Sequence, residues 1–167
     1  MKKSVWLIGM PGSGKSTISK QLNGMDTDNL INLKTNAHNL SANDFYDHEM
    51  ETILSFVNTM PTGCIATGGS VVHRAATMEN IKSLENSIVI YLFCSLPILT
   101  NRLDNIYERG VVFPPFIHSF EELYAYRHDL YSHYADITIN TGEKSIEDTL
   151  QIVHKNLKSK MYRNAKS

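Results

Sequence analysis

Cysteine is almost missing from this chain: Cys64 and Cys94 are the only two among 167 residues, and both lie in apolar runs. That excludes a disulfide-stapled secreted scaffold and fits buried thiols in a reducing compartment, so a cytoplasmic location is expected. Long hydrophobic runs are missing too. None approaches membrane-spanning length, and the Lys2–Lys3 start leads into a strand interrupted by Gly9, Pro11 and Gly12 rather than a signal-peptide core. The formal net charge is −1, which gives no electrostatic case for nucleic acid or an anionic membrane as partner. The histidines are scattered, and even His128 and His133 lack the same-face spacing of a helical metal site; they are read as surface or core residues. There are no internal repeats, low-complexity tracts or linkers. One monomeric domain over residues 1–167 is expected.

What is present is concentrated near the start. Gly9, Met10, Pro11, Gly12, Ser13, Gly14, Lys15 and Ser16, followed by Thr17, read as Gly, four free positions, Gly, Lys, Ser: the Walker A phosphate loop. Glycines let successive N–H groups turn inward onto phosphate, Lys15 supplies a cation, and the Ser16 hydroxyl suits Mg²⁺. The context is right, with apolar Val5–Ile8 before the loop and a helical Ser16–Leu22 after it. Gly12, Ser13, Gly14, Lys15, Ser16 and Thr17 are therefore the expected nucleotide site, with ATP and Mg²⁺ as ligands and Ser16 as metal ligand.

Strand-like runs alternate with helix-like segments along the chain, the pattern of a three-layer α/β P-loop fold: a five-stranded parallel sheet, helices on both faces, and a lid loop. The first helix is expected to stop at Asn23–Gly24, with Gly24 as a left-handed cap. Leu30, Ile31 and Leu33 read as the second strand. Ser41 or Asn43 caps a helix to about Asn58 with Phe45, Ile53, Leu54 and Val57 inward. Cys64–Ala66 is the third strand, running into Thr67, Gly68, Gly69 and Ser70, where paired glycines admit a ligand close to backbone. Helix Arg74–Leu84, strand Ile88–Phe93 and a helix opened by Pro97 follow. Residues 105–118 lose periodicity, with Gly110, Pro114 and Pro115 marking a loop. Its Val111, Val112, Phe113, Phe116 and Ile117 suit either a lid over a ligand or packing on the domain's own flank. Ser119 and Glu122 form a capping box for a helix through Tyr134. A strand at Ile137–Ile139 and a helix capped by Ser145 and Asp148 complete the chain, with a frayed tail expected after Lys158.

These motifs together resemble the shikimate kinases, small P-loop proteins similar to nucleoside-monophosphate kinases. Besides the loop, Ala66-Thr67-Gly68-Gly69 resembles the family's glycine-triplet strand end, with Ser70 in third place. Arg109-Gly110-Val111-Val112 resembles its Arg-Pro-Leu-Leu lid motif. Phe120-Glu121-Glu122-Leu123 through Arg127, Leu130, Tyr131, Ala135 and Asp136 resembles its late helix and last strand. The resemblance implies Lys15 and Arg109 as catalytic residues, Arg102 stacking near adenine, and Gly68, Gly69 and Arg127 at the acceptor, Arg127 pairing with its carboxylate.

The resemblance also implies an Asp-x-Asp motif after the second strand, supplying a carboxylate to the acceptor hydroxyl and helping to order the metal. Asp26-Thr27-Asp28 has the letters but comes early; an ungapped register instead puts Asn32 and Lys34 there, and that register is preferred, because it leaves an apolar strand to pair in the sheet. The acceptor region, about residues 34–60, is shortened, and the family's Phe-Arg-x-x-Glu reads Phe45-Tyr46-Asp47-His48-Glu49, without the Arg. Three functions stay open: an ATP-dependent phosphotransferase on a hydroxyl of a small metabolite, shikimate or a relative; a nucleotide-binding protein of this type with lost or altered catalysis; and a kinase of another small molecule or a nucleoside.

Overall fold

The computed structural model describes residues 4–28, 31, 40–59, 63–103 and 111–164, with side chains as far as residue 155. Strand β1 (Ser4–Ile8) is buried along its whole length. Its side chains alternate between two cores, Val5 and Leu7 on one face and Trp6 and Ile8 on the other. A strand buried on both faces must be continuously apolar, which is why the period-2 pattern vanishes there. Around it lie β2 (Met25–Asp26), β3 (Gly63–Ala66), β4 (Ser87–Phe93) and β5 (Ile137–Asn140). All pair in parallel, in the order β2-β3-β1-β4-β5.

Helices cover both faces. Helix α1 (Lys15–Gln21) and α6 (Ile146–Asn164) place Ile18 and Val153 on the Val5–Leu7 face. Helices α2 (Ala42–Asn58), α3 (Ala75–Ser83), α4 (Leu96–Arg102) and α5 (Phe120–Tyr134) bring Ile53, Met78, Ile81, Leu99 and Leu123 to the Trp6–Ile8 face. The expected caps form: Ser41 Oγ accepts from Asp44 N–H, Ser119 Oγ from Glu122 N–H and Ser145 Oγ from Asp148 N–H. Helix α6 runs on to Asn164, past the expected fraying point at Lys158.

The second strand is corrected. It is Met25–Asp26, paired with Ile65 and Ala66. Thr27 and Asp28 already turn helical, and Ile31 is helical and buried; Leu30, Leu33, Asn32 and Lys34 lie outside the described residues. An edge strand of two residues needs no apolar run, so hydrophobicity misplaced it. The link from α1 is also shorter than expected. Asn23, not Gly24, takes the left-handed conformation, with φ 52°. Gly24 is needed for another reason: a side chain there would overlap the Cys64 carbonyl and Ser19 Oγ.

The inner face of α2 is corrected as well. Tyr46, Glu49, Thr52, Ile53 and Val57 are buried, while Phe45 and Leu54 are only half-buried. Two polar residues on that stripe hid it from a hydrophobic reading.

Candidate functional site

The carboxyl ends of β1, β2 and β3 converge, as they must in a parallel sheet, and the chain places its polar residues there. Leaving β1, the loop turns through Gly9, Gly12 and Gly14, with φ of 147°, 82° and 97°, values a side chain disfavours. Gly12 packs against Leu103, 3.1 Å from where a Cβ would stand. Gly14 caps α1 without any side-chain hydrogen bond, so the first N–H groups of the helix are left for a ligand. Lys15 Nζ donates to the Gly9 and Met10 carbonyls at 2.7 and 3.0 Å, which fixes the ammonium beneath the loop with one donor to spare. Burial lowers its pKa to about 8, opposed by Asp28 and Asp26. Ser16 and Thr17 are exposed at the start of α1.

Arg102 buttresses the loop from α4. Its guanidinium donates to the Gly12 carbonyl at 3.4 Å, Thr141 at 3.1 Å and Gly142 at 2.8 Å.

Beside Lys15, the two-residue β2 delivers Asp26 and Asp28. This overturns the preferred Asn32–Lys34 register: the Asp-x-Asp motif follows the second strand because that strand is Met25–Asp26. Burial, with Asp26 nearby, raises the Asp28 carboxyl pKa, and Lys15 opposes the shift. Facing Asp28 is Glu49 of α2, and Gly68 separates them; a Cβ at Gly68 would overlap both Glu49 Oε1 and Asp28 Oδ1. Burial pushes Glu49 up to about 8, with Ser70 as its hydrogen-bonding neighbour.

The far wall is Arg127 of α5. Its side chain is buried, against the usual fate of a lone arginine. Nε donates to His73 Nε2 at 2.9 Å and Nη2 to the Val112 carbonyl at 2.9 Å, while Nη1 faces Gly69. His73 Nε2 must accept, so its proton sits on Nδ1. Burial first, then Arg127 and Arg74, lower its pKa to about 3, and the ring is neutral at ordinary pH. Tyr46 stacks at a tilt against His73, with centroids 4.7 Å apart. Tyr131, buried beneath, donates to the Gly69 carbonyl.

In the lid, Val111 and Phe113 pack on the core and Ile117 is buried, so this part lies on the domain's flank. Phe116 is exposed and meets the Tyr126 ring edge-on at 5.4 Å. Arg109 lies outside the described residues.

Four buried side-chain atoms among the described residues have no hydrogen-bond partner: Ser13 Oγ, Thr27 Oγ1, Tyr46 Oη and Glu49 Oε1. All four belong to the loop, the Asp-x-Asp turn or the α2 wall. Buried polar groups are normally satisfied, so their gathering here marks a ligand site.

A sequence profile described as shikimate kinase matches residues 11–158. The chain belongs to the shikimate kinase family. A shikimate kinase of Bacillus mycoides is 30% identical over 164 residues, covering 89% of this chain and 94% of that protein. One from Rippkaea orientalis is 32% identical over 181 residues, covering 96% and 93%. Among solved structures, a shikimate kinase from Acinetobacter baumannii in complex with shikimate superposes with a TM-score of 0.74 at 20% identity, covering 96% of this chain and 95% of that one. The P-loop kinase fold is therefore shared along nearly the whole chain.

Within this shikimate kinase family chain the donor chemistry fits Mg²⁺. Ser16, Asp26 and Asp28 offer hard oxygens, and a divalent cation would relieve the charge of two neighbouring carboxyls. No cluster of three or more His, Cys, Asp or Glu suited to a metal occurs among the described residues. Among the described residues no helix is long and apolar enough to cross a membrane. Sequence reading missed His73, which no motif contains. Tyr46 and Glu49 were visible only as a frame in the resemblance.

Proposed function

We propose that this chain transfers the γ-phosphoryl group of ATP to a hydroxyl of shikimate or a close hydroxylated relative. The supporting observation is the convergence of the phosphate loop, Asp28, Glu49 and Arg127 around one hollow beside Lys15. Gly12 to Thr17 cradle the phosphates through backbone N–H groups, Lys15 neutralises charge that builds on them, and Arg102 borders the adenine side. Ser16, with Asp26 and Asp28 near it, would hold Mg²⁺, which would supply neutralisation of phosphate charge. Asp28 accepts the proton of the acceptor hydroxyl as its oxygen bonds to phosphorus and the bond to the ADP oxygen breaks. Arg127 pairs with the acceptor's carboxylate across Gly68 and Gly69, and Arg109 enters from the lid. Positioning and charge neutralisation supply most of the rate in such a loose transition state.

The reading of a binding protein with lost catalysis rested on a missing acidic residue and a missing arginine. With Asp28 beside Lys15, only the second support is left. A coupled assay of ADP release over shikimate, quinate-like acids, sugars and nucleosides tests the proposal. ADP release dependent on shikimate or a related hydroxy acid is expected; ATP binding with no turnover on any acceptor would refute it.

A further inference from the structure

Arg127 is a buried guanidinium that makes no ion pair with any carboxylate among the described residues. Its hydrogen-bond partners are neutral: the His73 imidazole, the Val112 carbonyl and the neighbouring hydroxyls of Tyr46 and Tyr131. A buried cation with no carboxylate partner among the described residues suits an anionic ligand. Next to it stands the Tyr46 hydroxyl, buried and near enough to the guanidinium for its oxygen to accept from it, while its own proton meets no acceptor among the described residues. The ring that carries it is in contact with His73 at 4.7 Å and with the Arg74 guanidinium at 5.7 Å. Arg74 itself is engaged by Asp47 at 2.8 Å at the rim, so it does not supply a second cation to the hollow.

We propose that Tyr46 is an acceptor-binding and specificity-determining residue: its hydroxyl donates a neutral hydrogen bond to the same anionic group that Arg127 holds. The inference rests on the acceptor reading above and adds a residue to it. One cation and one neutral donor select a hydroxylated acid with a single carboxylate. The hydroxyl stays a donor, since burial raises its pKa to about 12. Glu49, beside it, keeps its proton at neutral pH and so repels the anion little.

Calorimetric titration of the full chain with shikimate tests this without requiring turnover. Tyr46→Phe removes only the hydroxyl and is expected to weaken shikimate binding about 10- to 100-fold, as loss of a hydrogen bond to a charged group does. ATP affinity should be unchanged. Tyr46→Arg should bind shikimate at least as tightly as the parent chain. The parent chain should bind the carboxamide of shikimate at least tenfold more weakly than the acid. Equal affinity in the parent chain and Tyr46→Phe, equal affinity for acid and amide, or no binding of shikimate by the parent chain would each overturn the inference. Binding without phosphate transfer would instead sink the kinase reading and leave the role of Tyr46 standing.

Discussion

Single residues in this chain act against their type. Arginine and glutamate are seldom buried, yet Arg127 of α5 and Glu49 of α2 are, around the same hollow. They are tolerated differently: Arg127 is held by hydrogen bonds to a neutral His73 and a carbonyl, which leave its charge for a ligand, and Glu49 keeps a proton. Lys15 is the counterpart on the nucleotide side. Its ammonium is oriented by two carbonyls before any ligand arrives, so little ordering remains to be done on binding. Replacing Lys15 by Ala is expected to weaken ATP binding about 10- to 150-fold, the loss of one charge-assisted contact of about 1.5–3 kcal/mol. Titration with a fluorescent ATP analogue measures it, with circular dichroism to show the fold intact. Unchanged affinity would remove the phosphate loop from the site.

At the scale of elements, the short link from α1 into β2 decides where the acidic residues fall. Leu22 N–H and Gly24 N–H both return to the end of α1, on Ile18 and Ser19 carbonyls, and the chain then enters the sheet at once. Had the strand begun at residue 30, Asp26 and Asp28 would have been left at the wrong end of the sheet. Gly24 makes this turn possible, because a methyl there meets the Cys64 carbonyl of β3. Gly24→Ala should therefore cost about 1–3 kcal/mol of stability, the usual range for overpacking. Urea denaturation checks the figure, and a midpoint equal to the parent's would mean the turn has slack. Helix α2 shows the same coupling of element to site. Its face turns so that Tyr46 and Glu49, rather than Phe45, point inward.

For the whole molecule, buried ionisable groups around the hollow set a pH dependence. Glu49 has a pKa of about 8 in the folded chain against 4.5 in the unfolded one, so the folded state holds an extra proton between them. Its stabilisation is complete below 4.5 and is lost as pH rises through 8. Asp28, also raised, acts in the same direction. His73, lowered from 6.5 to about 3, acts oppositely: stability is gained as pH rises from 3 to 6.5. Lys15, lowered from 10.5 to about 8, adds stability only above 8. Between pH 6.5 and 8 Glu49 therefore acts with neither base opposing it. The metal-free, nucleotide-free protein should lose up to about 2 kcal/mol across that window, and Glu49→Gln should shrink the loss. Identical pH profiles for the two proteins would show that Glu49 is ionised throughout.

What the sequence by itself determined is local. The phosphate loop, the caps at Ser41, Ser119 and Ser145, the buried strands β1 and β4 and the glycine pair at 68–69 are written in contiguous residues, because backbone angles, capping and two-sided burial act over a few positions. Only the tertiary structure decided that β2 is two residues long, that Asp28 rather than Lys34 follows it, and that His73, Tyr46 and Arg127 form one wall. Those outcomes depend on pairing with β3 and on packing α2 and α5 against the turn at residues 71–73 that carries His73, contacts between residues far apart in the chain. A polar residue buried for a ligand also carries no hydrophobic signature, so the acceptor side of the hollow could be read only once the sheet had brought its pieces together.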